Sequence, residues 1–131
     1  MSLNKIMTND FYIYINQLQP SQLFINEKKL KSVQKWIDPK NHNYDAVPIK
    51  EFGEKIVLTD GHTRTLSVYM SGQSHIKVHW DHDELDTDLY LKCIDLCLHN
   101  NITSILDLKD RVLTDEDYTK KWINLCRSLE V

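Results

Sequence analysis

The sequence predicts an α+β fold: a small mixed sheet with helices in residues 1–80, followed by an all-helical extension in residues 81–131. Before residue 80, short apolar runs alternate with polar residues, which is typical of half-buried strands. After residue 80, apolar residues recur at helical spacing instead. A chain of 131 residues is long enough for one core, so we expect the two segments to pack as a single compact unit.

Four segments carry the signals of strands, and they are residues 11–16, 47–50, 55–59 and 76–80. The first is rich in aromatic and β-branched residues and is followed by the polar turn Gln19-Pro20-Ser21. Phe52-Gly53-Glu54 forms the tight connection between the second and third. Pro48 would place the second strand at a sheet edge or at its first residues.

Capping residues mark the expected helices. Asn26 should begin a helix that runs through Trp36, where Asp38-Pro39 stops it. Thr63 should cap a second helix that ends at Gly72. In the extension, we expect one helix after Asp86, a short one from Ser104 to Arg111, and a last one from Thr114.

The composition limits the class of protein. No apolar run approaches the roughly 18 residues that a membrane helix needs, and the stretch MSLNKIMTND has no apolar signal core, so we expect a cytoplasmic protein. The three cysteines, Cys93, Cys97 and Cys126, form no CxxC pair. We expect them to be buried, reduced core residues rather than a disulfide framework or a zinc site.

Charge is distributed unevenly along the chain. Residues 1–80 carry ten bases and seven acids, whereas residues 81–131 carry six bases and twelve acids. The first segment could therefore accept an anion that the second would repel. Acidic residues crowd positions 81–88, but Leu85 and Asp86 do not fit the calcium-loop pattern, so the start of a helix explains them better.

The stretch LTDGHTRT, residues 58–65, lies where a predicted strand becomes a predicted helix. The first turn of a helix presents unpaired N–H groups and the positive end of the helix dipole, which together favour phosphate. Gly61 would let the backbone approach such an anion closely, and Arg64 could bind it in a bidentate manner.

The other polar side chains of this stretch have candidate roles too. Thr63 and Thr65 could donate hydroxyl hydrogens to the anion, and His62 adds a titratable group. Asp60 cannot donate to a phosphate, but it could hold a magnesium ion or accept a proton. Each residue also has a structural alternative, such as turn former, cap or surface pair, so the prediction depends on their occurring together.

The order of these elements resembles the ParB/sulfiredoxin superfamily over residues 11–80. The matching segments are Ile13 to Ser21, a charged helix, Val47-Pro48-Ile49, Lys55 to Arg64, and Ser71-Gly72 before a strand. In that superfamily the strand-turn-helix carries a Gly-x-x-Arg core that binds nucleotide phosphates. ParB-like serine kinases read Asp-Gly-His-His-Arg at this point, and this chain reads Asp-Gly-His-Thr-Arg at residues 60–64.

The chain departs from the better-known members at identifiable positions. ParB has a further arginine where this chain has Leu66, and an arginine after its first strand where this chain has residues 20–23, PSQL. Sulfiredoxin requires a cysteine where this chain has His62. The serine kinases use a glutamate near the position of Gln22, while Glu27 lies later. The resemblance therefore implies the fold and a phosphate site rather than CTP-switch chemistry or sulfinic acid repair.

From the residues and the resemblance we expect a protein that binds a nucleoside di- or triphosphate with magnesium, either a phosphotransferase or a phosphohydrolase. Its phosphate-binding residues would be Gly61, His62, Thr63, Arg64 and Thr65. Asp60 would be the magnesium ligand, and Asp60 and His62 the catalytic residues. The alternative is a non-catalytic ParB-like module that binds a protein partner or associates with nucleic acid, although the acidic extension argues against direct DNA binding.

Overall fold

A computed structural model of the chain describes residues 9–130. The strands are β1 (Phe11–Tyr14), β2 (Leu18–Gln19), β3 (Ile25–Asn26), β4 (Val47–Phe52), β5 (Lys55–Leu58), β6 (His75–Trp80) and β7 (Val112–Leu113). The helices are α1 (Glu27–Trp36), α2 (His62–Met70), α3 (Thr87–His99), α4 (Asp115–Tyr118) and α5 (Asn124–Leu129). A π turn, Thr119–Ile123, joins α4 to α5. The predicted α+β class is confirmed.

Five strands form one mixed sheet in the order β1-β6-β4-β5-β2. The β6–β4 and β5–β2 pairs are parallel, and the other two pairs are antiparallel. The central strand, β4, carries Val47 and Ile49, which are both completely buried. The four predicted strands are therefore present, and β2 is an addition that pairs Leu18 with Ile56.

The extension packs onto the same core as the sheet. Gln19 Nε2 donates to the Ile102 carbonyl at 2.9 Å, and Arg111 Nε donates to the Leu23 carbonyl at 2.7 Å. Strand β7 pairs with β3 in a separate two-stranded sheet, where Ile25 lies opposite Val112. The prediction of an all-helical extension is therefore wrong at β7.

Most of the predicted caps are observed. The side chains of Asn26, Asp86 and Thr114 accept backbone hydrogen bonds at the starts of α1, α3 and α4. The expected Thr63 cap is wrong, because α2 begins two residues earlier than that cap implies, at His62, and Gly61 is its cap residue. The short helix after Ser104 is a 3-10 helix, Ile105–Leu108, and it ends before Arg111 because the chain then extends toward its pairing with β3.

Membrane crossing requires a long apolar helix. Among residues 9–130, no helix has the length and apolar character to cross a bilayer.

Candidate functional site

The turn between β5 and α2 depends on Gly61. Its φ of 76° lies in the left-handed region that glycine adopts without strain. A Cβ at this position would lie 2.7 Å from Cγ1 of Val47, which is closer than side chains pack. The close approach that the sequence predicted for a ligand is thus made by the core of the protein itself, and it holds the start of α2 against β4.

The first turn of α2 offers backbone donors. Within the described residues, no side chain caps this helix, and the Thr65 N–H makes the bond to the Gly61 carbonyl at 2.9 Å. The N–H groups at the start of a helix have no carbonyl one turn earlier to bind, so those of His62, Thr63 and Arg64 lack helical partners. Asp60 lies beside them, and its Oδ1 accepts the Gly61 N–H at 2.8 Å. An exposed carboxylate therefore already lies next to the positive end of the helix dipole.

His62 is buried and serves as a hydrogen-bond acceptor. Only 3% of its surface is exposed, and its Nε2 accepts the Ser21 N–H at 2.9 Å. Burial lowers the pKa of His62 from 6.5 to about 3, although the charge of Asp60 opposes the shift. The ring is therefore neutral at pH 7, with its proton on Nδ1. Nδ1 is buried and has no partner among the described residues.

The remaining side chains of the stretch also make internal contacts. The Thr65 hydroxyl donates to the Gly61 carbonyl at 2.8 Å and is completely buried, so it is not available to a ligand. Thr63 is buried too, since only 4% of its surface is exposed. Arg64 is half-buried, and its Nη1 donates to the carbonyls of Asp45 and Ala46 at 2.9 and 3.1 Å. Its Nε and Nη2 groups make no hydrogen bond within residues 9–130.

A cavity of about 170 Å³ lies beside the end of β5. It is lined by Ser21, Gln22, Thr59, Leu89, Tyr90, Cys93, Trp122 and Cys126. The sequence did not predict this set, because most of these residues are on helices of the extension whose apolar spacing indicated ordinary core positions. Ligand pockets usually measure roughly 300–1,000 Å³, so the cavity is too small for a whole nucleotide.

Two tyrosines of the extension lie near Asp60. The Tyr90 hydroxyl donates to the Thr59 carbonyl at 3.0 Å, and the Tyr118 hydroxyl accepts from Gln22 Nε2 at 3.1 Å. Burial raises the pKa of Tyr118 to about 12, and the charge of Asp60 contributes to the shift. Burial is also the main cause of the raised pKa of Tyr90, with a further contribution from Asp60. Both phenols are therefore protonated at neutral pH, and the extension surrounds the strand end that carries Asp60.

A metal ion would have few protein ligands here. In the part of the chain that the structure describes, no three histidine, cysteine or acidic side chains converge as a metal site. Magnesium usually binds one or two carboxylates and completes its octahedron with water and substrate phosphates. Asp60 fits such a limited role, in which the phosphates would supply further oxygens.

A larger surface groove, of about 600 Å³, lies at the other end of α2. Tyr69 and Met70, the last residues of the helix, line it together with Tyr14 from β1. The helix dipole is negative at this end and disfavours phosphate. The stretch at the start of α2 is therefore the better candidate for an anion.

Comparisons with known proteins assign no family to the chain. No protein-family model matches the chain, and no curated protein matches it. Among solved structures, protein Atu1540 from Agrobacterium tumefaciens is similar, with 18% sequence identity and a TM-score of 0.50. The similarity covers 76% of this chain and 61% of that one, so the chain spans about three fifths of the length of Atu1540. At this identity the similarity concerns the fold alone.

Proposed function

We propose that the chain is a ParB-like protein that binds the phosphates of a nucleoside di- or triphosphate, with magnesium, at the start of α2. The observation that carries the proposal is the uncapped first turn of α2, which follows directly on the exposed carboxylate of Asp60. On this proposal the activity is a magnesium-dependent phosphotransferase or phosphohydrolase reaction.

The backbone supplies most of the proposed phosphate contacts. The N–H groups of His62, Thr63 and Arg64 would donate to phosphate oxygens, since they have no helical partners. The Gly61 N–H now donates to Asp60 Oδ1 and would be released if that carboxylate turned toward magnesium. Such an exchange replaces one anion with another at the same helix end, which explains how Asp60 and a phosphate can share the site.

Side chains have narrower roles in this proposal. His62 positions the loop after β2 through its bond to Ser21, because a buried neutral ring is poorly suited to general base catalysis. Asp60 remains the group for magnesium and for accepting a proton. The Nε and Nη2 groups of Arg64 would donate hydrogen bonds to the phosphates, while its Nη1 continues to donate to the carbonyls of Asp45 and Ala46.

Thermal unfolding in the presence of ATP, ADP, CTP and GTP, each with and without magnesium, tests the proposal. A ligand that binds the folded chain raises the Tm as its concentration increases. Arg64→Ala should weaken nucleotide binding at least about tenfold, because a charge-assisted contact contributes on the order of 1.5–3 kcal/mol. Asp60→Asn should retain much of the binding but lose the dependence on magnesium.

Matched controls separate these effects from general changes of charge. Arg127→Ala and Asp110→Asn alter exposed residues of the extension and should leave nucleotide binding unchanged. Arg64→Ala will also lower the Tm of the free protein, since it removes two hydrogen bonds to carbonyls, so affinity must be measured below the unfolding range. Equal affinity in Arg64→Ala and the wild type would contradict the assigned site.

The second candidate is a non-catalytic partner-binding or nucleic-acid-associated module. It is favoured by the size of the cavity and by the internal hydrogen bonds that occupy His62, Thr65 and part of Arg64. The absence of a Tm shift with every nucleotide at millimolar concentration would make this candidate the better one.

A further inference from the structure

Two cysteines of the extension line the same cavity at the end of β5. Cys93 lies on α3 and Cys126 on α5, and both line the cavity. All three cysteines are free thiols; Cys93 and Cys97 are buried, whereas Cys126 is half-buried. The predicted burial is therefore confirmed for Cys93 and Cys97 and is wrong for Cys126. The sequence did not indicate that Cys93 and Cys126 share a cavity, because the two residues are distant in sequence.

We propose that Cys93 and Cys126 form a reversible oxidation site, at which a small hydroperoxide entering the cavity converts the two thiols into a disulfide between α3 and α5. The cavity of about 170 Å³ has room for hydrogen peroxide, since a water molecule occupies roughly 30 Å³ in the liquid. Ser21, Thr59 and Tyr90 give its wall hydroxyl groups that a peroxide can hydrogen-bond.

The chemistry assigns a different role to each sulfur. The Cys93 thiolate attacks one peroxide oxygen, so that an S–O bond forms, the O–O bond breaks and one water leaves after protonation. Cys126 then attacks the sulfur of the resulting sulfenic acid, forming the S–S bond and releasing a second water. Two thiols are oxidised and the peroxide is reduced by two electrons, so no other reactant is needed.

The environment favours this order of attack. The mutual interaction of the two thiols lowers the pKa of Cys93 and raises that of Cys126, which leaves Cys93 as the better thiolate. Cys97 differs from both: burial raises its pKa to about 12, and its thiol points to the Gln22 carbonyl at 3.6 Å. Cys97 should therefore be inert and serves as an internal control.

The disulfide would link α5 covalently to α3. Trp122, which lies in the π turn one helical turn before Cys126, is 5% exposed and lines the same cavity. In the reduced protein this side of the cavity is held by packing and by the bond between Gln22 and Tyr118. Oxidation would add a covalent link to those reversible contacts.

Mass spectrometry of the whole chain tests the proposal. The protein is titrated with hydrogen peroxide, the remaining thiols are alkylated after unfolding, and the tryptic peptides are mapped without reduction. We expect the intact mass to fall by two hydrogen atoms, the peptide containing Cys93 to be linked to that containing Cys126, and dithiothreitol to reverse the change. Sulfinic acid without a link, a link to Cys97 or a second chain, or unreacted thiols would each overturn it.

Variants identify the sulfurs, because Cys93 and Cys97 share one tryptic peptide. Cys97→Ser should still lose two hydrogens, whereas Cys93→Ser should not. Cys126→Ser should stop at a Cys93 sulfenic acid that dimedone traps. If a variant does not fold, fragmentation of the linked wild-type peptide decides between Cys93 and Cys97, and a link through Cys97 contradicts the proposal.

Discussion

Gly61 determines how closely the start of α2 packs on the sheet. Two separate constraints act there: its φ of 76° and the 2.7 Å that would separate a Cβ from Val47. Gly53 offers a matched comparison, since its φ of 62° is similar but a Cβ there meets nothing within 4 Å. The two glycines therefore separate backbone strain from crowding.

Gly61→Ala should destabilise the fold more than Gly53→Ala does. Strain at a positive φ costs on the order of 1–3 kcal/mol, and Gly61→Ala adds a clash with Val47 to it. Chemical denaturation of both variants measures the difference. In a double-mutant cycle, Val47→Ala should relieve part of the cost of Gly61→Ala; strictly additive effects would show that the clash is absorbed elsewhere.

His62 should make stability depend on pH. Its pKa is about 3 in the folded chain, against its ordinary 6.5, so between these values the unfolded chain binds a proton that the folded chain excludes. The contribution is fully present above pH 6.5 and is lost as the pH falls toward 3, at about 1.4 kcal/mol per pH unit.

Urea denaturation between pH 7.5 and pH 5.5 measures this slope. His62→Gln keeps an acceptor for the Ser21 N–H and should flatten the pH dependence, while His82→Gln, at an exposed position, should leave it unchanged. A wild-type slope that His62→Gln does not alter would mean that the ring is protonated in the folded protein.

At the scale of elements, α1 shows what a local signal can establish. The Asn26 side chain accepts the N–H groups of Lys28 and Lys29 at 2.9 and 3.3 Å, as the sequence predicted. It also donates to Asp115 Oδ1 at 2.8 Å, which connects α1 to α4. Asn26 thus joins an element of the first segment to one of the extension.

Asn26→Ala should lower the free energy of unfolding by about 1 kcal/mol, the usual cost of losing an N-cap. Asn26→Asp should preserve the cap but place a second carboxylate against Asp115, so its stability should recover as salt concentration rises. Gln34→Ala, on the exposed face of α1, is the control expected to have little effect. An unchanged free energy of unfolding in Asn26→Ala would contradict the capping role.

The sequence predicted long elements well and two-residue strands not at all. Helices α1, α3 and α4 begin at capping side chains that are visible locally. Strands β3 and β7 contain two residues each, so neither has a period to recognise. They exist because the fold brings Ile25 and Val112 together, which is a tertiary effect.

The candidate site was predictable in position but not in chemistry. The sequence located a strand, a glycine turn and a helix start at residues 58–65, and they are present. It could not indicate that His62 accepts a hydrogen bond from the Ser21 N–H, or that Arg64 donates to the carbonyls before β4, because those partners are distant in sequence. Burial, rather than residue type, decides which of these polar atoms remain available to a ligand.

At the scale of the whole molecule, the extension encloses the strand end that carries the proposed site. Tyr90, Tyr118, Trp122 and Cys126 all lie against it. Because the cavity is smaller than a nucleotide, bound phosphates would contact the exposed rim at Asp60 and the first turn of α2, leaving the rest of the nucleotide outside. We therefore expect a contact confined to that rim.

Amide NMR of the labelled chain, titrated with ATP and magnesium, tests this central claim most directly. We predict saturable shifts that are largest at the N–H groups of His62, Thr63 and Arg64, because those groups would donate to the phosphates. ADP should move the same amides, and adenosine should not. Unchanged spectra at millimolar nucleotide, or shifts concentrated around Tyr14 and Met70 at the opposite end of α2, would contradict the account.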